Sequence, residues 1–338
     1  MRAWQLHDTE GPSSFRLDEV PKPTAGPGDV RVALQTSALN HLDLWVSQGL
    51  PKPKHLPHIA GADGAGIIDQ IGEGVVGWAV GDEVIVNPSL GCGQCDSCLR
   101  DQVIFCKSYS ILGEHVPGTL ADKVVLPVRN LQRKVPGLAW EQAGSYGLVT
   151  GTAYRMLRRA GLQPGEAVLI VGIGGGVSSA ALSVARALGG RVFVTSRSPD
   201  KIAWAIEHGA EAGFDSAGQF SGDLKAAIGG GAAVVVENVG EATWDQSIRS
   251  LQPGGRVVLC GATTGGNIAL NLPVVWFKQI QIIGSTMFTA SEFARVTHLV
   301  ETGQVEVPVD SVHPFEELPA ALDRLGSGDQ LGKVVLRH

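Results

Sequence analysis

Aromatic side chains make up only 6% of this 338-residue chain, and its 27 Lys and Arg are outnumbered by 33 Asp and Glu, for a formal charge of −6. A surface with that balance lacks the cationic stripe that phosphate backbones and anionic membranes need, so neither nucleic acid nor membrane is an expected partner. No apolar run approaches the roughly 18 residues that span a bilayer. The opening "MRAWQLHDTEG" has no basic head followed by an apolar segment and does not read as a signal peptide. Cysteine is scarce: there are five, and four of them crowd into positions 92 to 106. Disulfide stapling is therefore not expected, and a reducing cytoplasm is the expected compartment. What the chain has in quantity is glycine, 45 in all, and enough length for two domains, with room for one to be inserted in the other.

The four cysteines follow the spacing Cys92-x2-Cys95-x2-Cys98-x7-Cys106 in "GCGQCDSCLRDQVIFC". Two successive CxxC steps and a fourth thiol can close a tetrahedron around one zinc ion, and Gly91 and Gly93 let the chain wrap tightly. Free thiols in an exposed loop are the plainer alternative. Four protein ligands would leave no position open for water or substrate, so the zinc expected here is structural, one per chain.

From Met1 to about Tyr146 the sequence reads as short strands and turns, as in "DVRVALQTSAL", "GAGIIDQIGEGV" and "GDEVIVNPSL". A connecting helix, or pair of helices, is expected over "WEQAGSYGLVTGTAYRMLRRAG". Beyond it, apolar strands ("EAVLIVG", "RVFVTS", "AAVVVENV", "GRVVLCG", "IQIIGS") alternate with amphipathic helices ("VSSAALSVARALGG", "PDKIAWAIEHGA", "ATWDQSIRSL"). That alternation predicts βαβ units and a buried parallel sheet. The tail from Thr289 carries a helix over "SEFARVTHLVETG", another over "ELPAALDRLGSG", and a last strand, "GKVVLRH", that returns to the first domain. The predicted domains are thus 1–146 with 288–338, and 147–287.

"VLIVGIGGGVSSAAL" reads as strand, glycine turn and helix, the context in which a glycine triplet carries meaning. Gly172, Gly174, Gly175 and Gly176 let the backbone approach a pyrophosphate at the positive end of the following helix. Val177 or Ser178 stands where the last glycine of a dinucleotide fingerprint would be. The next strand ends "FVTSRSPDK", with no carboxylate to accept from the ribose hydroxyls of NAD. Ser196, Arg197, Ser198 and Lys201 suit a 2′-phosphate instead, so NADP(H) is the expected cofactor. A solvated turn with incidental charges is the alternative.

Together with "GEGVVGWAVGDEV" and the closing "LGKVVL", these segments resemble the medium-chain dehydrogenase/reductase superfamily, in its zinc alcohol dehydrogenase and quinone oxidoreductase branches. The resemblance covers essentially the whole chain. It implies an α/β fold: a GroES-like, β-rich catalytic domain and a Rossmann doubly wound cofactor domain, with the active site in the cleft between them. It also implies homodimers or homotetramers. Alcohol dehydrogenases of the superfamily carry a second, catalytic zinc, and at those ligand positions this chain reads Asn40, Ala62-Asp63 and Tyr146. Leu42 and Trp45 stand where a hydroxyl and a His would relay the alcohol proton.

Without a Lewis acid, oxidation of a simple alcohol loses its main means of stabilising an alkoxide. An activated acceptor is easier, since a quinone or an α,β-unsaturated carbonyl can take a hydride with hydrogen-bond polarisation alone. The resemblance of "NHLD" to the quinone oxidoreductase branch assigns Asn40 to polarising or positioning a small-molecule substrate, Asp43 to orienting the loop and Tyr146 to candidate proton donor. Loop bonding for Asn40 and a pocket wall for Tyr146 are the rival roles, and Asp63 reads as a structural acceptor. By family position His41 faces the pyrophosphate, and Thr150, Asn238, Gly261, Ala262, Thr263, Ser285 and Met287 line the cofactor. Trp45, Trp276 and Phe288 are candidates for an apolar pocket or for core packing. An NADPH-dependent reductase of quinones, enones, enals or related bonds is the leading expectation. The alternatives are an alcohol dehydrogenase with atypical zinc ligands and a crystallin-like NADPH-binding protein with a structural or regulatory role.

Overall fold

The computed structural model describes all residues from Met1 to His338. The chain divides into two compact units: Met1–Leu148 with Phe288–Glu301 and Val307–His338, and Val149–Met287 with Thr302–Glu306. No helix is long and apolar enough to cross a membrane.

The first unit is built on a seven-stranded sheet whose central member is Asp29–Ala38. That strand alternates apolar and polar residues, and Val30, Val32 and Leu34 enter a core with Ile68, Val84, Val86 and Leu126. One flank pairs antiparallel with Asp63–Ile71, with Ala38 opposite Asp63. Along the other, Lys123–Pro127 pairs with its first half and the C-terminal strand Lys333–Arg337 with its second. Val335 lies opposite Ala38. A second core joins Trp4, Leu6, Phe15, Leu39 and Val46 to Phe315, Leu322 and Leu336 from the tail. The tail helices, Ala290–Glu301 and Leu318–Ser327, lie where the sequence places them. The strand Val309–Pro314 does not stand out in the sequence. It forms because it pairs parallel with Lys333–Arg337.

The second unit holds a six-stranded sheet in which every pairing is parallel. Its order is Ala212–Asp215, Arg191–Ser196, Ala167–Ile170, Ala232–Glu237, Leu251–Leu259, Gln281–Gly284. The strand order reverses between Ala167–Ile170 and Ala232–Glu237, as in a doubly wound nucleotide-binding sheet. Leu169, Phe193, Val235 and Val257 pack with Phe220, Leu224, Trp244 and Ile248. The inner strands are near-continuous apolar runs because both faces are covered. The GroES-like and Rossmann architecture expected from the sequence is the one observed.

Candidate functional site

In the first unit, the end of the central strand gathers four polar side chains out of water. Continuing the register beyond Ala38 and Val335 by two residues sets Lys333 opposite Asn40, and Leu39 N–H already donates to Val334 O at 2.9 Å. Lys333 Nζ donates to Asn40 Oδ1 at 2.5 Å and to Asp63 Oδ2 at 3.0 Å. Asn40 Nδ2 donates to the same Asp63 oxygen at 3.1 Å and to Ala38 O at 3.4 Å. The other Asp63 oxygen accepts the Leu148 backbone N–H at 2.7 Å. All three side chains are buried, Asp63 with 1% of its surface exposed and Lys333 with 4%. A buried ammonium and carboxylate persist only when paired and hydrogen-bonded like this.

Asp43 sits in the first turn of the helix His41–Ser47 and accepts the Asn40 N–H at 2.8 Å and the Gly61 N–H at 3.0 Å. Its place is therefore to hold the Asn40 loop. Burial pushes its carboxyl up to about 6, although those two N–H groups and Lys333 pull the other way. His41, half-buried, is held below its ordinary value by burial first and by the Lys333 ammonium second. Tyr146 is fully buried, its ring against Phe293, and its hydroxyl donates to Thr297 Oγ1 at 3.2 Å. Burial raises that hydroxyl above its usual range, which makes it a poorer acid. Phe288 is buried and stacked on Phe293, and Trp45 lies 6.3 Å from the His41 ring.

The sequence reading missed Lys333. Its only signal is the strand register, which becomes visible once the two ends of the unit are known to pair.

The cysteine lobe belongs to the same unit. The four Sγ atoms of Cys92, Cys95, Cys98 and Cys106 all lie within 4.8 Å of one another, and Cys92 and Cys98 are 3.9 Å apart. Sulfurs set tetrahedrally at about 2.3 Å from a zinc ion are about 3.8 Å apart, so the donor set fits that metal. The backbone N–H groups of Gln94 and Cys95 bring the Cys92 thiol down to about 6, favouring the thiolate that a metal requires. No other group of three or more His, Cys, Asp or Glu side chains comes together as a metal set.

In the second unit, the carboxyl ends of five adjacent parallel strands lead into Gly172, Ser196, Asn238, Gly261 and Ser285. Ligands of open α/β sheets bind at that edge. Gly172 and Gly174 have φ of 75° and 114°, and the helix Gly176–Ala187 starts directly behind them. Lys201 lies across this turn: a Cβ on Gly174 would come within 2.9 Å of its Nζ. Ser178 donates to Gly172 O at 2.8 Å, so the residue at the absent third glycine braces the turn, beside Val177. The Gly172 N–H is held by Thr195 Oγ1 at 3.1 Å.

Ser196 Oγ accepts the Ser198 N–H at 3.1 Å, and Ser198 Oγ accepts the Lys201 N–H at 3.4 Å. Arg197 is exposed. Thr263 donates its N–H to Asn238 O at 3.3 Å, joining two of the loops, and Ala262 is exposed beside it. Thr150 is buried in the helix Gly147–Arg159, and the buried Ser285 hydroxyl has no protein partner. Met287 holds φ of 43°, a left-handed value that side-chain-bearing residues seldom adopt outside functional or tightly determined sites.

Residues 26–136 match the family model described as "Alcohol dehydrogenase GroES-like domain", and residues 176–302 the one described as "Zinc-binding dehydrogenase". An acryloyl-coenzyme A reductase of Sulfurisphaera tokodaii is 30% identical over 96% of both chains. An alcohol dehydrogenase of Geobacillus stearothermophilus is 31% identical, again over 96% of both. Among solved structures, one described as an NAD-dependent alcohol dehydrogenase is 38% identical, covers 100% of both chains and has a TM-score of 0.97.

Proposed function

Because this chain belongs to the medium-chain dehydrogenase/reductase superfamily, we propose that it is an NADPH-dependent reductase of a carbon–carbon double bond conjugated to a carbonyl, or of a comparably activated acceptor such as a quinone. The observation that carries the reading is the Asn40–Asp63–Lys333 cluster. At two positions where the zinc alcohol dehydrogenases would bind their catalytic metal, this chain ties its polar groups to an ammonium. The name of the acryloyl-coenzyme A reductase supports an enoyl thioester as acceptor.

NADPH, when bound, supplies the hydride that reduces the β-carbon. The glycine turn would receive the pyrophosphate, and Ser196, Arg197, Ser198 and Lys201 would read the 2′-phosphate. Asn40 gives an N–H to the acceptor carbonyl, where negative charge develops. One proton on the α-carbon completes the balance, and we assign it to water because burial raises the Tyr146 hydroxyl above its usual range and makes it a poor acid. The Cys92–Cys95–Cys98–Cys106 set would hold a structural zinc, and a cysteine set reserved for a metal suits a reducing, cytoplasmic setting. Self-association is part of this proposal. The terminal strand Gln281–Gly284 and the neighbouring helix Leu272–Lys278 expose Ile282, Leu272, Trp276 and Phe277, a surface suited to a second copy. A monomer by light scattering would count against it.

The experiment is NADPH oxidation with crotonyl-coenzyme A, cyclohexenone, benzoquinone and simple aldehydes, with and without a chelator. Turnover of the activated acceptors is expected to be at least about 100-fold above that of aldehydes and insensitive to brief chelation. Strong, chelator-sensitive oxidation of simple alcohols would instead support the alcohol dehydrogenase reading that the 31% and 38% relatives favour. No turnover of any acceptor would leave a NADPH-binding protein.

A further inference from the structure

Lys333, Asp63 and Asn40 close a ring of hydrogen bonds: ammonium to amide oxygen, ammonium to carboxylate, amide nitrogen to the same carboxylate oxygen. The ring decides which way the Asn40 amide faces. Flipping it would turn NH2 toward NH3⁺ and C=O toward a carboxylate, and both contacts would become repulsive. It also polarises the amide, since a cation on the oxygen and an anion on one N–H draw charge in the same direction.

The two N–H bonds of that amide are not equally committed. One goes to a buried carboxylate. The other goes to Ala38 O at 3.4 Å, the long end of hydrogen bonding, and is the one a better acceptor could take.

We propose that Lys333 is a positioning residue of the reductase site: with Asp63 it locks and polarises the Asn40 amide so that its loosely held N–H is offered to the carbonyl oxygen of the acceptor. This rests on the reductase reading given above, in which Asn40 meets the acceptor. The chain thereby carries its own fixed cation behind the polarising group. That cation needs no reorganisation as charge develops, which is the condition under which buried dipoles contribute most to catalysis.

Lys333→Met alone leaves Asp63 buried and unpaired, and its effect on folding would mask any effect on chemistry. The informative variant is Asp63→Asn with Lys333→Met, which removes both charges and keeps the shape. Asp63→Asn with Lys333→Gln is a second neutral pair in case the first does not fold. Each is read for melting temperature, for NADPH affinity by fluorescence titration, and for kcat on crotonyl-coenzyme A and on benzoquinone. The thioester needs its carbonyl polarised far more than the quinone does.

A melting temperature and NADPH affinity close to the native values are expected, with kcat on the thioester down about tenfold or more and kcat on the quinone down no more than about threefold. Lys333→Arg, which keeps the charge, should hold thioester turnover above that of either neutral pair. Native turnover in a neutral pair, or an equal loss on both acceptors, overturns the inference and leaves the reductase reading standing. A native protein that turns over neither acceptor fails the reductase reading itself, and the inference falls with it.

Discussion

Asp43→Asn tests the electrostatics of the Asn40 loop through stability rather than turnover. The Asp43 carboxyl is pushed from 3.8 to about 6, with burial outweighing the Asn40 and Gly61 N–H groups and the attraction of Lys333, while Asp63 adds repulsion. Between those values the folded protein keeps a proton that the unfolded chain releases. Stability from this group is therefore fully present below about pH 4 and is lost as pH rises through 6. A shift of about two units corresponds to about 3 kcal/mol in all, and roughly half of that falls between pH 5 and 8. In a domain of ordinary size this moves a melting temperature by roughly 3–6 °C.

The assay is thermal unfolding of native protein and variant from pH 5 to 8, read as the difference between the two curves. Titrating groups that do not interact with Asp43, the cysteines among them, cancel in that difference. The native protein is expected to lose ground to the variant as pH rises and to stop losing it above about pH 7. Parallel curves over the whole range would refute the argument, because Asp43 would then titrate alike in folded and unfolded chains.

Metal analysis of protein prepared without added zinc should give one zinc per chain, and two tightly held ions would refute the reading of the ligand sets. Cys95→Ser should lower the melting temperature and release the metal before it affects cofactor binding. Arg197→Ala should weaken NADPH about 10-fold or more and leave NADH nearly unchanged, and Ser196→Asp should turn the preference toward NADH. Equal affinity of the native protein for both cofactors would place Arg197 in solvent. Tyr146→Phe should cost about 1 kcal/mol of stability through the lost bond to Thr297, with kcat within about threefold of native. A fall of about 100-fold would restore the tyrosine as proton donor.

What the sequence discloses of this structure follows the range of the interactions. The parallel sheet is legible because its inner strands, such as "AAVVVE" at Ala232–Glu237, are buried on both faces and read as continuous apolar runs. The cysteine set is legible because its spacing is local. The strand Ala212–Asp215 and the helix Phe220–Ile228 are not, since "EAGFDSAGQFSGDLKAAIGGG" is rich in Gly and Ala and has too little apolar periodicity to announce either. Lys333 is hidden for a different reason. In "LGKVVL" it stands at the head of an apolar run, Val334 to Leu336, where a lysine reads as an ordinary solvated strand end, and only the pairing with Asn40, 293 positions away, turns it inward.

That pairing also orders events during synthesis. All six strands of the Ala167–Gly284 sheet leave the ribosome in one uninterrupted stretch, so this unit can complete its core while the chain is still being made. The other unit emerges first and finishes last. Asn40 and Asp63 wait for an ammonium 293 and 270 positions further on, and Trp4 and Leu6 wait for Phe315 and Leu336. Chains truncated near Gly303 and released should therefore resist protease across the parallel sheet and be cut within the first 148 residues. The earlier-made side of that unit stays open until Lys333, 270 positions after Asp63, has been translated.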